Sequence, residues 1–172
     1  MKNIIEEFRN ELINHYKAFR FSHYALHNLG DVYKDWKSNH PELKNFVIED
    51  QDFNITIRFN EAEISETEEE GLYQRILAGS TIATFYNIWE DKYRKKIAEE
   101  KGVEKNDIKN ELFYELNKIR QAVIHNNFNK TSKLKDLELL SFILIENTFK
   151  LGSSEVEKIY QLLLLELDSL SA

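Results

Sequence analysis

Cysteine is absent from the 172 residues. That excludes disulfides, thiolate metal sites and a cysteine nucleophile, and it suits a reducing cytoplasm. Proline occurs once, at Pro41, and glycine five times. So few breakers among many Leu, Ile, Glu and Lys residues favour helices. Long apolar runs are missing as well. The longest, Phe142 to Ile145 and Leu162 to Leu165, fall far short of the roughly 20 residues a bilayer-spanning helix needs. The segment from Met1 to Glu7 shows no apolar stretch of a secretion signal. The expectation is one cytoplasmic domain over residues 1–172, soluble and without a membrane partner.

Basic charge is also in short supply: the net charge is −7. Taken alone, that argues against a general nucleic-acid binder, because phosphate neutralisation needs Lys and Arg. The charge is uneven, however. Between Lys92 and Lys135 there are 12 basic and 6 acidic residues, whereas the rest of the chain has 11 and 24. A basic segment of this kind is either a solvated helix surface or a phosphate-facing one.

Hydrophobic spacing sets out the elements. Ile5, Phe8, Leu12, Tyr16 and Phe19 recur at three and four residues, predicting a helix over about 2–29 that stops at Gly30-Asp31. Phe53, Ile55, Ile57 and Phe59 alternate with polar residues, predicting a strand with one buried face in a β-hairpin over 45–59. Ser65 with Glu68 reads as a capping box opening a long helix to Lys101. Leu72, Ile76, Ile82, Tyr86, Trp89, Tyr93 and Ile97 form its inward side, and Gly102 ends it. A helix over about 106–126 follows, with Ile108, Leu112, Leu116, Ile119 and Val123 inward and Asn126-Asn127 as a left-handed stop. The stretch 141–151 suits a second short hairpin, with a helix as the alternative. Ser154 with Glu157 reads as the cap of a last helix. The fold class is mainly α, an antiparallel bundle of about four to five helices with one or two hairpins added.

One segment carries chemistry: Leu116-Asn117-Lys118-Ile119-Arg120-Gln121-Ala122-Val123-Ile124-His125-Asn126-Asn127. The helical neighbours of Arg120 are Leu116, Asn117, Val123 and Ile124, none acidic. Its guanidinium must therefore reach solvent, another element or a ligand. His125 stands one turn after Gln121, whose amide can orient the imidazole. The histidine sits at the helix C-terminus, where exposed carbonyls favour a cation. Such an imidazole suits general acid–base work. Taken without further context, the pair is also compatible with two ordinary surface residues.

The segment resembles the signature of the HEPN superfamily: an Arg and a His four to six residues apart, a polar residue after the Arg, and the His at a helix end. The specific match covers about a dozen residues, and the helical layout agrees loosely over most of the chain. The resemblance implies a metal-independent endoribonuclease acting as a homodimer, with Arg and His of two protomers sharing a composite cleft. It implies no cofactor. Arg120 would bind the scissile phosphate and His125 would move protons between the 2′-hydroxyl, the phosphate and the leaving 5′-oxygen. Gln121 would orient His125, with Asn126 and Asn127 in support. Products would carry a 2′,3′-cyclic phosphate. The substrate would be RNA, tRNA included, in a toxin or phage-defence role with an antitoxin or defence-system protein as partner. The alternative is a non-catalytic adaptor or regulatory module of the same family, binding a protein or a nucleotide. Two departures stand out: Gln121 replaces the more common Asn, Asp or His, and Asn127 replaces the Tyr that one toxin branch has modified by its partner.

Other features have plainer readings. His23 and His27 have metal-ligand spacing but no carboxylate-rich companion, so interfacial side chains are expected there and no metal. Glu90-Asp91 reads as solvated, with an acidic role in the cleft as the sharper option. Tyr93, Tyr114 and Phe128 suit either the core or stacking on bases.

Overall fold

The computed structural model describes residues 1–126, 128, 131–145 and 148–171, with the backbone only at 126 and 148. It is mainly helical, with two small antiparallel hairpins. Helix α1 spans Lys2–Asn39, and hairpin β1 (Asn45–Asp50) with β2 (Ile55–Asn60) follows. A short α2 covers Glu61–Ser65 and α3 covers Leu72–Ile88. A π-helical turn, Trp89–Tyr93, joins α3 without a break to α4, Arg94–Lys101. Helix α5 is Glu111–Asn126, β3 (Leu144–Ile145) pairs with β4 (Thr148–Phe149), and α6 is Ser153–Ser171. No helix among the described residues is long and apolar enough to cross a membrane.

The stripe expected on α1 is buried through Ile5, Phe8, Leu12 and Phe19. It packs on α3 and α6, while α3 packs in turn on α5. Aromatic rings set this layer: Phe8 stacks on Tyr93 at 4.4 Å, and Trp89 lies on Phe113 at 4.2 Å with planes 6° apart. Offset contacts of this kind add about 0.5–1.5 kcal/mol each beyond area burial.

Several boundaries differ from the sequence reading. Helix α1 runs through Gly30 to Asn39. A lone glycine costs a helix only about 1 kcal/mol, and tertiary contacts on both sides outweigh it. Gly30 is buried beside Thr67, and beyond it Tyr33 and Trp36 pack on Phe46 of β1. Ser65 does not open the next helix. The capping box is formed by Asn60 and Glu63, and it opens α2. The long helix starts at Leu72, whose N–H donates to Glu66. Leu72 and Ile76, expected inward, are exposed, and the buried side of the first turns of α3 is carried by Gln74 and Ala78 instead. Helix α5 begins at Glu111 and not near 106, with Asn110 accepting from the Phe113 N–H at its start. At α6 the carboxylate that closes the start is Glu155, which accepts from the Gly152 N–H, and not the Ser154–Glu157 pair. Gly102 ends α4 in the left-handed conformation as expected (φ 66°).

The first hairpin occurs where the alternation places it, but its face is not buried. Ile48 pairs with Ile57 and Phe46 with Phe59, so these four side chains share one face. Phe46 is partly covered by Tyr33 and Trp36 of α1 and Phe59 is half-buried, while Ile48, Ile55 and Ile57 stay exposed, the last at 46%. Period-two spacing shows that two faces differ; it does not show what covers one of them.

Glu115 is unexpected. It points inward from α5, 5% exposed, and its carboxylate accepts from the N–H groups of Glu138 (2.7 Å), Leu139 (3.2 Å) and Leu140 (2.8 Å). It thereby ties the long connection before β3 to α5.

Candidate active site

Helices α3 and α5 run antiparallel and approach closest near the C-terminal end of α5. Gly79 makes this possible: a Cβ there would stand 2.6 Å from a Val123 methyl and 2.9 Å from the Phe128 ring. Phe128 itself has φ +62°, a conformation unusual for a bulky side chain. Its N–H reaches back to the Ala122 carbonyl at 3.3 Å. Its ring lies beneath the Arg75 guanidinium (4.9 Å) and against Phe149 (6.1 Å). These contacts fix the end of α5, and therefore the backbone that carries His125.

Arg120 and His125 both lie on α5, and their surroundings differ. Arg120 is half-buried, with its guanidinium over the Tyr86 ring at 5.5 Å. Its Nε is buried and has no hydrogen-bond partner. Among the described residues no carboxylate pairs with it. His125 is exposed at the last turn. Five residues along a helix give about 7.5 Å of rise and roughly 140° of rotation. Arg120 is thus turned towards α3, and His125 away from it.

Gln121 is half-buried and its amide oxygen accepts from Lys133 at 3.1 Å. Lys118 donates to the Asp136 carbonyl at 3.3 Å and lies 4.6 Å from the Tyr114 ring. Part of the basic segment therefore gathers along α5, Lys133 at Gln121 about one turn before His125 and Lys118 about two turns before it. Lys118, Lys133, Arg75 and Tyr86 are the residues that sequence reasoning missed here. Arg75, Tyr86 and Lys133 are too far along the chain for helical spacing to connect them, whereas Lys118 stands in the motif segment itself and the local excess of Lys and Arg was a signal for it and for Lys133. Asn126 is the last residue of α5; Asn127 lies outside the described residues.

The remaining candidates separate clearly. Tyr93 is core: it is 1% exposed, and its hydroxyl donates to Glu11 at 2.7 Å. Tyr114 is exposed. Glu90 is not solvated as expected. It accepts from Arg94 at 2.8 Å and meets Lys105 at 2.8 Å. Burial would raise its carboxyl, but hydrogen bonds from Lys105 and Arg94 outweigh that and hold it below the ordinary range. His23 turns inward against Phe19, and its Nε2 is buried without a partner; burial lowers its pKa, helped by Arg20. No group of three or more potential metal ligands gathers among the described residues.

No protein-family model, no curated protein and no solved structure matches this chain.

Proposed function

We propose that this protein is a metal-independent endoribonuclease of HEPN type, working as a homodimer with a composite cleft. The observation that carries the reading is the state of Arg120. It is a guanidinium without a carboxylate, partly desolvated and seated on an aromatic ring. A cation kept in that condition is suited to an anionic ligand, and a phosphodiester offers the planar oxygen pair it fits. The exposed imidazole of His125 stands on the same helix, with Lys118 and Lys133 nearby.

The 140° offset between Arg120 and His125 favours a second protomer. Their side chains leave the helix on different sides, so one phosphate is approached more readily by Arg120 of one copy and His125 of the other. In the reaction Arg120 stabilises charge building on the phosphate. His125 takes the 2′-hydroxyl proton or returns one to the leaving 5′-oxygen. The oxygen of the 2′-hydroxyl attacks phosphorus, the bond to the 5′-oxygen breaks, and a 2′,3′-cyclic phosphate remains. DNA lacks that nucleophile and is not cut. A toxin or defence role against cellular RNA, tRNA included, follows from the same reading.

The test is cleavage of total RNA in EDTA by wild type and His125→Ala side by side. Cutting by wild type alone, with cyclic phosphate ends, supports the proposal. No cutting at high enzyme concentration removes it and leaves the second reading, an adaptor that binds another protein. The specific observation behind that reading is the uncovered face of Ile48, Ile55 and Ile57, since exposed apolar surface of this kind marks contact sites.

A further inference from the structure

A cavity of about 400 Å³ opens between the π-helical turn and the first half of α5. Its volume lies within the usual range for small-ligand sites. Four aromatic rings line it: Tyr86 and Tyr114, which are accessible, and Trp89 and Phe113, which are core residues stacked on each other. The π-turn inserts one residue into the helical register, and such turns recur at functional sites.

The polar lining falls into two sets. Glu90, Arg94 and Asn110 are already satisfied. Arg94 donates to Glu90 (2.8 Å) and to the Ile108 carbonyl (2.9 Å). Asn110 donates to Glu166 (2.6 Å) and accepts from the Phe113 N–H. By contrast Asn106, Lys109, Glu111 and Asn117 hold no side-chain hydrogen bond or ion pair among the described residues. The free ammonium and the free carboxylate offset each other, and the Arg94 charge is met by Glu90. An anion gains little here. What remains is two amides, each able to donate and accept, in a cavity with two accessible tyrosine rings. That chemistry recognises a flat, uncharged, hydrogen-bonding ring.

The cavity adjoins Arg120. Tyr86, which forms part of its wall, is the ring beneath the Arg120 guanidinium, and Asn117 precedes Arg120 by one helical turn. We infer that this cavity takes one unpaired base of the RNA whose phosphate rests on Arg120, and so sets base preference beside the cut. The inference builds on the ribonuclease reading, but its ligand chemistry is tested separately.

The protein has two tryptophans, Trp36 at the first hairpin and Trp89 in the cavity wall. In Trp36→Phe, Trp89 is the only tryptophan reporter. Titration with the four ribonucleosides, which carry no phosphate, is expected to change its emission saturably for at least one of them. Asn117→Leu is expected to weaken that binding by about tenfold or more, the worth of one or two neutral hydrogen bonds. Asn106→Ala, at an exposed position, weakens it in the same direction and serves if Asn117→Leu fails to fold. Inorganic phosphate is expected not to compete. No emission change and no calorimetric heat with any nucleoside, or equal binding by wild type and the variants, overturns the inference. RNA cleavage by a protein that ignores nucleosides removes the base site and leaves the ribonuclease. Nucleoside binding by a protein that cuts no RNA supports the cavity's ligand and removes the ribonuclease.

Discussion

Replacing Glu115 with alanine is expected to cost about 2–4 kcal/mol of stability. The carboxylate serves three backbone donors, and their fates differ. Glu138 and Leu139 are exposed, so water can take over their N–H groups at little net cost. Leu140 is fully buried and its N–H is left without an acceptor, at about 1–3 kcal/mol for an orphaned donor. Loss of the buried Cγ methylene adds about 0.8 kcal/mol. For a domain of this size each kcal/mol moves the midpoint by roughly 2–4 °C, so thermal unfolding should fall by about 4–16 °C. Glu115→Gln should rescue only part of this. One carboxylate oxygen serves Glu138 and Leu139 and the other serves Leu140, so an amide must present its NH₂ to one donor or the other. The assay is thermal unfolding by circular dichroism, with amide exchange at Leu140 as the local probe. An alanine variant that melts with wild type, its Leu140 amide still protected, would refute the reasoning.

Further outcomes follow from neighbouring geometry. Arg120→Lys keeps the charge but loses the planar fork, so cleavage should fall by roughly 10²–10³-fold; unchanged RNA cleavage would show that the fork is not used. Gly79→Ala should destabilise by roughly 1 kcal/mol despite alanine's better helix propensity, because overpacking against Val123 costs about 1–3 kcal/mol. Denaturant melts of Gly79→Ala with and without Val123→Ala measure this, and relief by the second change is expected. Ile57→Thr should cost under about 1 kcal/mol, where a buried position would cost several; a larger loss by thermal melt would mean that the face is covered. His23 has a lowered pKa in the folded state because of burial. The folded state therefore binds fewer protons, and its contribution is present above histidine's ordinary value of ~6.5 and lost as pH falls below it. Stability curves between pH 8 and 5 on the order of whole pH units should flatten in His23→Gln; parallel curves would assign the loss to other groups.

What the sequence showed well was local. The stripe Ile5, Phe8, Leu12 and Phe19 needed only helical spacing, and Gly102 needed only its permitted left-handed backbone. The isolation of Arg120 from acidic helical neighbours could also be read directly, since i±3 and i±4 are fixed by the helix. What failed depended on distant chain. Gly30 lies within α1 because Thr67 and Phe46 pack around that stretch. Asn60 with Glu63 forms a capping box that opens α2, whereas Ser65 with Glu68, which suits the same local rule, opens no helix. The Tyr86 ring beneath Arg120, and the backbone N–H groups around Glu115, are separated from their partners by 34 and about 25 residues respectively. No periodicity connects such positions.

Helix α1 has 38 residues, which is about 57 Å of rise. A sphere of 172 residues at ordinary compactness has a radius of gyration of only about 16 Å and a diameter of roughly 40 Å. The helix therefore outreaches the body it packs on, and it carries the β1–β2 hairpin at its far end. An elongated particle diffuses more slowly than a sphere of equal mass. A single copy should elute early from a sizing column, at a position resembling a larger assembly. Stoichiometry for this chain has to be read from mass, by light scattering or sedimentation equilibrium, and friction reports instead on the arm.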